Sequence, residues 1–125
     1  MKDKAFIFFR ASTAILLLIH GVVRMSANAV IPFGDFLNHV GFPFGNVLAW
    51  SITLFEIVGG VLLAIGIYTR YVALAFFIEL LLGIILVHAK FGWFVVGHGS
   101  NGVEYSICLM NALSYIFFID YKKLK

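Results

Sequence analysis

Charged residues are scarce in this sequence. Lys, Arg, Asp and Glu make up 12% of the 125 residues, whereas hydrophobic residues make up 62%. Soluble domains carry about 25% charged residues, so these side chains are too few to cover a water-soluble globule of this size. The composition therefore predicts an integral membrane protein whose apolar surface contacts lipid, and the length fits one domain.

Cysteine is also nearly absent. Cys108 is the single cysteine, which excludes an intrachain disulfide and a CxxC pair for dithiol chemistry. A zinc or iron–sulfur centre with several thiolate ligands is excluded for the same reason, and no metal site is expected. The formal net charge is +3 and is spread over the chain ends and loops. This pattern predicts membrane topology rather than a nucleic-acid surface.

Four apolar stretches are each long enough to cross a bilayer, which takes roughly 20 residues. They lie at about residues 5–23, 47–67, 71–89 and 103–119. Each must be helical, because only a helix satisfies its own backbone hydrogen bonds in lipid. We therefore expect an all-α fold, a four-helix bundle that forms a single membrane domain over residues 1–125. One short amphipathic helix is expected over residues 33–40, and a tight turn at Thr69 and Arg70 joins the second and third spans.

The positive charges indicate the orientation in the membrane. Seven of the nine Lys and Arg residues fall on one predicted side: Lys2, Lys4, Arg10, Arg70, Lys122, Lys123 and Lys125. Arg24 and Lys90 fall on the other side, so both termini are expected to face the cytoplasm. A cleavable signal peptide is the competing interpretation, since Ala27-Asn28-Ala29 has the A-x-A form. Arg10 and His20 interrupt the apolar run before it and argue against cleavage.

Polar residues at membrane depth define the candidate site, because charges are costly there. Measured from the outer ends of their helices at 1.5 Å per residue, Glu56 and Glu79 both lie at a depth of about 16 Å, and Arg10 lies about one turn further toward the cytoplasm. A buried pair of Arg10 and Glu56 is therefore predicted. Four further residues, from three helices, lie near the outer surface: His20, Arg24, His88 and Glu104. Their shared depth predicts a polar outer pocket.

The third span contains a conflict. Glu79 and His88 are nine residues apart, so a straight helix directs them to opposite faces at about 100° per residue. Only one of them can face the bundle. Each polar residue also has an ordinary structural interpretation, such as Arg10 reaching to the membrane surface or Glu104 favoured by a helix dipole. The prediction of a site depends on the convergence of the set.

Six short segments occur in a recognisable order along nearly the whole chain. They are Arg10 with His20-Gly21-x-x-Arg24, Gly41-Phe42-Pro43, Leu54-Phe55-Glu56-Ile57-Val58-Gly59-Gly60, Gly66-Ile67-Tyr68-Thr69-Arg70, His88, and Asn101-Gly102-Val103-Glu104-Tyr105. Together they resemble the DoxX family of small four-helix bacterial membrane proteins. That family resembles the small membrane subunit of thiosulfate:quinone oxidoreductase, and its members are often linked to membrane redox. The resemblance implies a multi-pass protein of the bacterial cell membrane. Glu79 lies outside the pattern, which favours His88 as the residue that faces the bundle.

The favoured hypothesis is a membrane redox component that binds a quinone or a small anion, with a quinone-linked oxidoreductase subunit as the implied enzyme class. The candidate cofactor-binding residues are Arg10, His20, Arg24, Glu56, His88 and Glu104. Histidine and glutamate can exchange the protons of quinone chemistry, and arginine can hold an anion through two parallel hydrogen bonds. No residue is assigned a catalytic role.

Three alternatives stay open. The first is a non-enzymatic assembly or scaffold subunit of a membrane complex, and the second is a small transporter or lipid-binding protein. The third, a haem protein with His20 and His88 as axial ligands, rests on two histidines alone, which is a weak pattern for haem. The expected partners are the lipid bilayer, a redox partner protein and a second copy of the chain, with no nucleic acid.

Overall fold

The computed structural model describes residues 2–123 and the side chains of residues 4–121. This part of the chain forms five α-helices and no strand: α1 (Lys2–Ser26), α2 (Val30–His39), α3 (Gly45–Ile65), α4 (Thr69–Gly83) and α5 (Glu104–Lys123). After α4 the chain continues through a π-helical segment, Ile84–His88, and a 3-10 turn, Ala89–Phe91. The prediction of an all-α fold is confirmed.

Three of the described helical stretches are long and apolar enough to cross a membrane: Lys4–Ser26, Gly45–Ile65 and Thr69–Phe91. At most 33% of the apolar window in each is buried inside the protein. Their exposed apolar side chains therefore require lipid as solvent, and the chain is an integral membrane protein. The predicted fourth span coincides with most of α5, which contains Asn111 and Asp120 and does not belong to this set. A fourth crossing stays a prediction.

The chain divides into two compact units, an N-terminal unit (Met1–Ile67) and a C-terminal unit (Tyr68–Lys125). In the N-terminal unit, α1 packs along α3, and α2 packs against the first half of α3. Val30, Leu37 and Ala49 form one apolar cluster at the α2–α3 contact. In the C-terminal unit, α4 packs along α5. The fully buried side chains of that unit include Phe76, Leu113 and Ile116.

Two predicted connections differ from the structure. The tight turn lies at residues 66–68 rather than at Thr69 and Arg70, because Gly66 ends α3 with a φ of +88° and Thr69 already opens α4. The short helix predicted over residues 33–40 is α2, which begins three residues earlier. Pro32 lies in its first turn, where the missing N–H costs no helical hydrogen bond. The side chains of Lys2, Lys122, Lys123 and Lys125, on which the orientation partly depends, lie outside those described.

Candidate functional site within the membrane-spanning helices

An ion pair joins α1 to α3 inside the N-terminal unit. Arg24 Nη1 lies 2.7 Å from Glu56 Oε2, and Arg24 Nη2 donates to Glu56 Oε1 at 3.4 Å. Nη1 also donates to Thr53 Oγ1 at 3.2 Å. Two nitrogens of one guanidinium thus engage both carboxylate oxygens, which is the stronger geometry for this type of pair.

The acid of the pair is buried, and the arginine is partly accessible. Glu56 is 5% exposed and Thr53 is 0% exposed, whereas the Arg24 side chain retains 20% of its accessible surface. Thr53 Oγ1 donates to Ala49 O at 2.7 Å, which leaves its lone pairs to accept from Arg24. A buried carboxylate is tolerable when it is paired and hydrogen-bonded. The exposed part of Arg24 is therefore the accessible edge of the cluster.

Glycine allows the two helices to approach closely at this point. A Cβ added at Gly21 of α1 would lie 3.0 Å from Glu56 Cβ and 3.0 Å from Thr53 O. A Cβ added at Gly60 of α3 would lie 2.9 Å from Leu18 Cβ. Small residues at such crossings let membrane helices pack backbone to backbone. The short distance between the helix axes brings the Arg24 side chain within reach of Glu56.

Helix α2 covers the arginine. The Phe33 ring lies under the guanidinium, with its centroid 4.5 Å from Arg24 Cζ, a cation–π distance. Asn38 Oδ1 accepts from Gly45 N at 2.8 Å and so fastens α2 to the first residue of α3. Gly34 and Gly45 are both buried, and a Cβ on Gly45 would collide with Gly34 O. The α2–α3 contact therefore holds the Phe33 ring against the guanidinium of Arg24.

The predicted pairing of Arg10 with Glu56 is wrong. A Cβ on Gly21 would contact Glu56 and Ile57, so Gly21 lies beside residues 56–57 of α3. If the predicted helix ends at residues 23 and 47 lay at the same depth, Gly21 would instead lie beside residue 49. The offset is about two helical turns, or roughly 11 Å at 1.5 Å per residue. It brings Arg24 to the level of Glu56. Arg10 lies eleven positions before Gly21, about 16 Å away along the axis by the same rise, and donates from Nη2 to Ala64 O at 3.4 Å.

The structure buries only part of the stripe that helical spacings of three or four predict along α1, which comprises Arg10, Thr13, Leu17, His20 and Arg24. Thr13 and Leu17 are buried, at 4% and 2% exposure. Arg10 and Arg24 are half-buried, and His20 is exposed. His20 lies one helical turn before Arg24 and marks the outer margin of the stripe. The centre of the stripe is therefore buried and Arg24 at its outer end contacts α3, whereas His20 between them is exposed.

His88 and Glu104 of the C-terminal unit bind the backbone of the loop between α4 and α5. The His88 Nδ1 atom lies 2.7 Å from Asn101 O. Glu104 Oε1 accepts from Val95 N at 2.7 Å and from Val96 N at 3.4 Å. These contacts order the loop at both of its ends. His88 and Glu104 belong to the C-terminal unit and Arg24 belongs to the N-terminal unit, and the predicted convergence of four residues on one pocket stays a prediction.

A π-helical segment follows Glu79 and includes His88. The prediction that these residues face opposite sides assumed a straight α-helix, and the segment removes that assumption. Ile84–His88 forms wider turns than an α-helix, with hydrogen bonds to the fifth residue. His88 is therefore no longer at the position that a straight α-helix gives it relative to Glu79. Such segments frequently occur at functional positions, and here the segment delivers His88 to Asn101 of the following loop.

Several contributors to the ion pair could be found from sequence, and others could not. Thr53 lies three residues before Glu56 on one helical face, and Gly21 stands between His20 and Arg24, so both were within reach of spacing arguments. Phe33 was not, because its role depends on how α2 folds back onto α3. Within the described residues, no group of three or more His, Cys, Asp and Glu side chains is placed to hold a metal ion.

The fold and the cluster define a small helical membrane protein with a charged pair inside its spanning helices. The chain matches the sequence model of the DoxX family over residues 5–89, and it belongs to that family. The match includes Arg24, Thr53 and Glu56 and ends at Ala89, one residue after the π-helical segment and before Glu104. Neither a curated protein nor a solved structure matches the chain at a significant level.

Proposed function

We propose that the chain is a membrane redox component that binds a quinone or quinol headgroup beside Arg24 and Glu56. The observation that carries the proposal is the Arg24–Glu56 ion pair, which lies in membrane-spanning helices and keeps an accessible arginine edge. Ionisable residues within transmembrane segments are expensive and mark functional sites by default. A quinone carries its reactive oxygens into the same apolar environment.

The charges at the pair favour a neutral ligand over a small anion. Glu56 already neutralises the guanidinium of Arg24, so a second anion would leave an excess negative charge in lipid, which is costly. A quinone carbonyl accepts a hydrogen bond from an arginine N–H without adding charge. The Phe33 ring beside the guanidinium supplies an apolar surface for the ring of the ligand.

The carboxylate of Glu56 suits the oxidation of a quinol, because a carboxylate can act as a proton acceptor. That reaction breaks two O–H bonds and releases two protons and two electrons. We assign acceptance of one proton to Glu56, and acceptance of the second to His20, the exposed residue one turn from Arg24 on α1. The electrons pass to a redox partner protein. The reverse reaction takes up the same two protons and two electrons.

The test is quinone binding by the purified protein in mild detergent. Trp50 lies on α3, so quenching of tryptophan fluorescence by a short-chain ubiquinone reports binding. Glu56→Gln and Arg24→Lys should each weaken binding about tenfold, the loss of one charge-assisted contact. Asp35→Asn is the matched control, because it removes an exposed carboxylate from α2 of the same unit. Equal affinity in the wild type and the Glu56→Gln variant would refute the proposal.

A scaffold subunit is the second candidate, and one observation favours it. The ion pair fastens α1 to α3, which is what a purely structural pair does. Both functions predict that Glu56→Gln lowers the melting temperature of the protein, but for a scaffold subunit lipid extracts of the purified wild type would contain no quinone. Co-purified ubiquinone or menaquinone, lost in the variant, would support the redox function instead.

We also propose that the protein resides in a bacterial cell membrane with both termini in the cytoplasm. The seven-to-two division of basic residues supports this orientation. Reporter fusions after Lys125 and at Thr69 should be active only with a cytoplasmic reporter, and a fusion at Ser100 only with an extracytoplasmic one. Extracytoplasmic activity at Thr69 and at the C-terminus would invert the topology.

A further inference from the structure

Arg10 lies at the end of the α1–α3 contact that is opposite to the ion pair. It makes fewer hydrogen bonds than Arg24 does. Its guanidinium packs against Gly66, the residue that ends α3. A Cβ on Gly66 would lie 2.8 Å from Arg10 Nη2 and 2.9 Å from Cζ, so the absent side chain makes the space that the guanidinium fills. The last turn of α3 contains no basic residue of its own, and Arg10 supplies a positive charge there from α1.

The protein offers few hydrogen-bond acceptors to the guanidinium of Arg10. Arginine has five N–H donors and no acceptor. Among the described residues, Arg10 makes one hydrogen bond, the long 3.4 Å contact from Nη2 to Ala64 O. The Nε atom is buried without a hydrogen-bond partner. The Phe6 ring, 5.7 Å from Cζ, adds a weak cation–π contact. Arg24, by comparison, makes three hydrogen bonds to side chains.

A cation with so few hydrogen-bond partners at this depth would be stabilised by an anion from the membrane. Arg10 is six residues from Lys4, the first residue of the candidate span, and therefore about 9 Å from the end of the span at 1.5 Å per residue. Long arginine side chains near helix ends extend toward the headgroups. Phosphate oxygens match the fork of the guanidinium and accept two parallel hydrogen bonds.

We propose that Arg10 binds the phosphate of an anionic phospholipid in the leaflet at the N-terminal end of α1. The phosphate accepts from the N–H groups of the terminal nitrogens that do not donate to Ala64 O, and the acyl chains lie along the exposed apolar side chains Ile7 and Phe8. This site is independent of the proposed quinone site, because about 16 Å separates Arg10 from the level of Glu56 along α1.

The experiment measures lipid retention by the full chain in detergent with native mass spectrometry, after incubation with phosphatidylglycerol or phosphatidylcholine. The wild type should retain one phosphatidylglycerol in preference to phosphatidylcholine. Arg10→Gln should weaken that binding about tenfold, the loss of a charge-assisted hydrogen bond. Arg10→Lys keeps the charge but loses the fork, so it should restore part of the affinity. Lys4→Gln is the matched control and should retain the wild-type preference.

Three outcomes would overturn the proposal. The first is a wild type that does not prefer phosphatidylglycerol, which needs no variant to be folded. The second is an equal loss of lipid in Lys4→Gln and Arg10→Gln, which shows general attraction by basic residues. The third is competition by millimolar inorganic phosphate, which assigns the anion to solution rather than to a lipid. Quinone affinity measured on the same Arg10→Gln sample should equal that of the wild type.

Discussion

In the N-terminal unit, Arg24 and Glu56 bond to each other across two helices, whereas in the C-terminal unit His88 and Glu104 bond to the backbone of one loop. Both acids belong to helices of a membrane protein, yet their positions differ. Glu56 lies in the middle of α3, and Glu104 is the first residue of α5. A mid-helix acid has no free backbone donors nearby and needs a side-chain partner, whereas an acid beside a loop finds backbone N–H groups.

This difference separates the cluster at which we propose a ligand site from contacts that order a loop. The Arg24 side chain retains 20% of its accessible surface, so the proposed ligand would bind beside the pair without breaking it. The Glu104 carboxylate accepts two backbone N–H groups, and a ligand that displaced it would disorder the loop. The predictions below test the comparison between the two units, in order of decreasing expected effect.

Removal of Arg24 should have the largest effect. Arg24→Ala leaves the carboxylate of Glu56, 5% exposed, without its partner. Breaking a buried pair from one side costs about 3 kcal/mol or more. Arg70→Ala in the C-terminal unit is the matched control, since Arg70 bonds to its chain neighbour Tyr71 in an exposed contact and its loss should cost much less. Thermal unfolding in detergent, followed by circular dichroism, measures both. Similar losses in the two variants would remove the distinction between the units.

A methyl group at Gly60 should have the next largest effect. Gly60→Ala places a Cβ 2.9 Å from Leu18 Cβ and forces α1 and α3 apart, at a cost of about 1–3 kcal/mol. Gly83→Ala is the control in the C-terminal unit, because no atom lies within 4 Å of its added Cβ. That change should be neutral or stabilise the helix by up to about 1 kcal/mol. The same unfolding assay applies, and a stable Gly60→Ala protein would contradict the close α1–α3 packing.

Neutralisation of Glu104 should have a local effect of about 1 kcal/mol, since Glu104→Gln keeps an oxygen acceptor but loses the charge that strengthens its bond to Val95 N. Hydrogen exchange at the Val95 amide should accelerate about fivefold, in proportion to the loss of local stability. Exchange in the middle of α3 serves as the internal control and should not change. Acceleration throughout the protein would mean that Glu104 supports the whole fold and not one loop.

The sequence was sufficient for some features of the fold because hydropathy determines them. The membrane class, the all-α fold and the family all follow from apolar runs and short ordered segments. The partner of Glu56 does not, because depth along a helix gives contacts only when the offset between neighbouring helices is known. The two-turn offset of α1 against α3 depends on glycine packing at Gly21 and Gly60. The π-helical turn at Ile84–His88 likewise has no hydropathy pattern of its own.

The last prediction has the smallest expected effect, and it tests the offset between α1 and α3 directly. In a double-mutant cycle, Arg10→Gln and Glu56→Gln should be additive within about 0.5 kcal/mol, because residues without a shared partner do not couple. The cycle of Arg24→Gln with Glu56→Gln should show a coupling of about 1–3 kcal/mol, as residues in direct contact do. Both cycles share the Glu56 variant, so a general weakness of that protein affects them equally. If Arg10 coupled to Glu56 as strongly as Arg24 does, α1 would have to be shifted about three turns, or roughly 16 Å, from the register that Gly21 and Gly60 define.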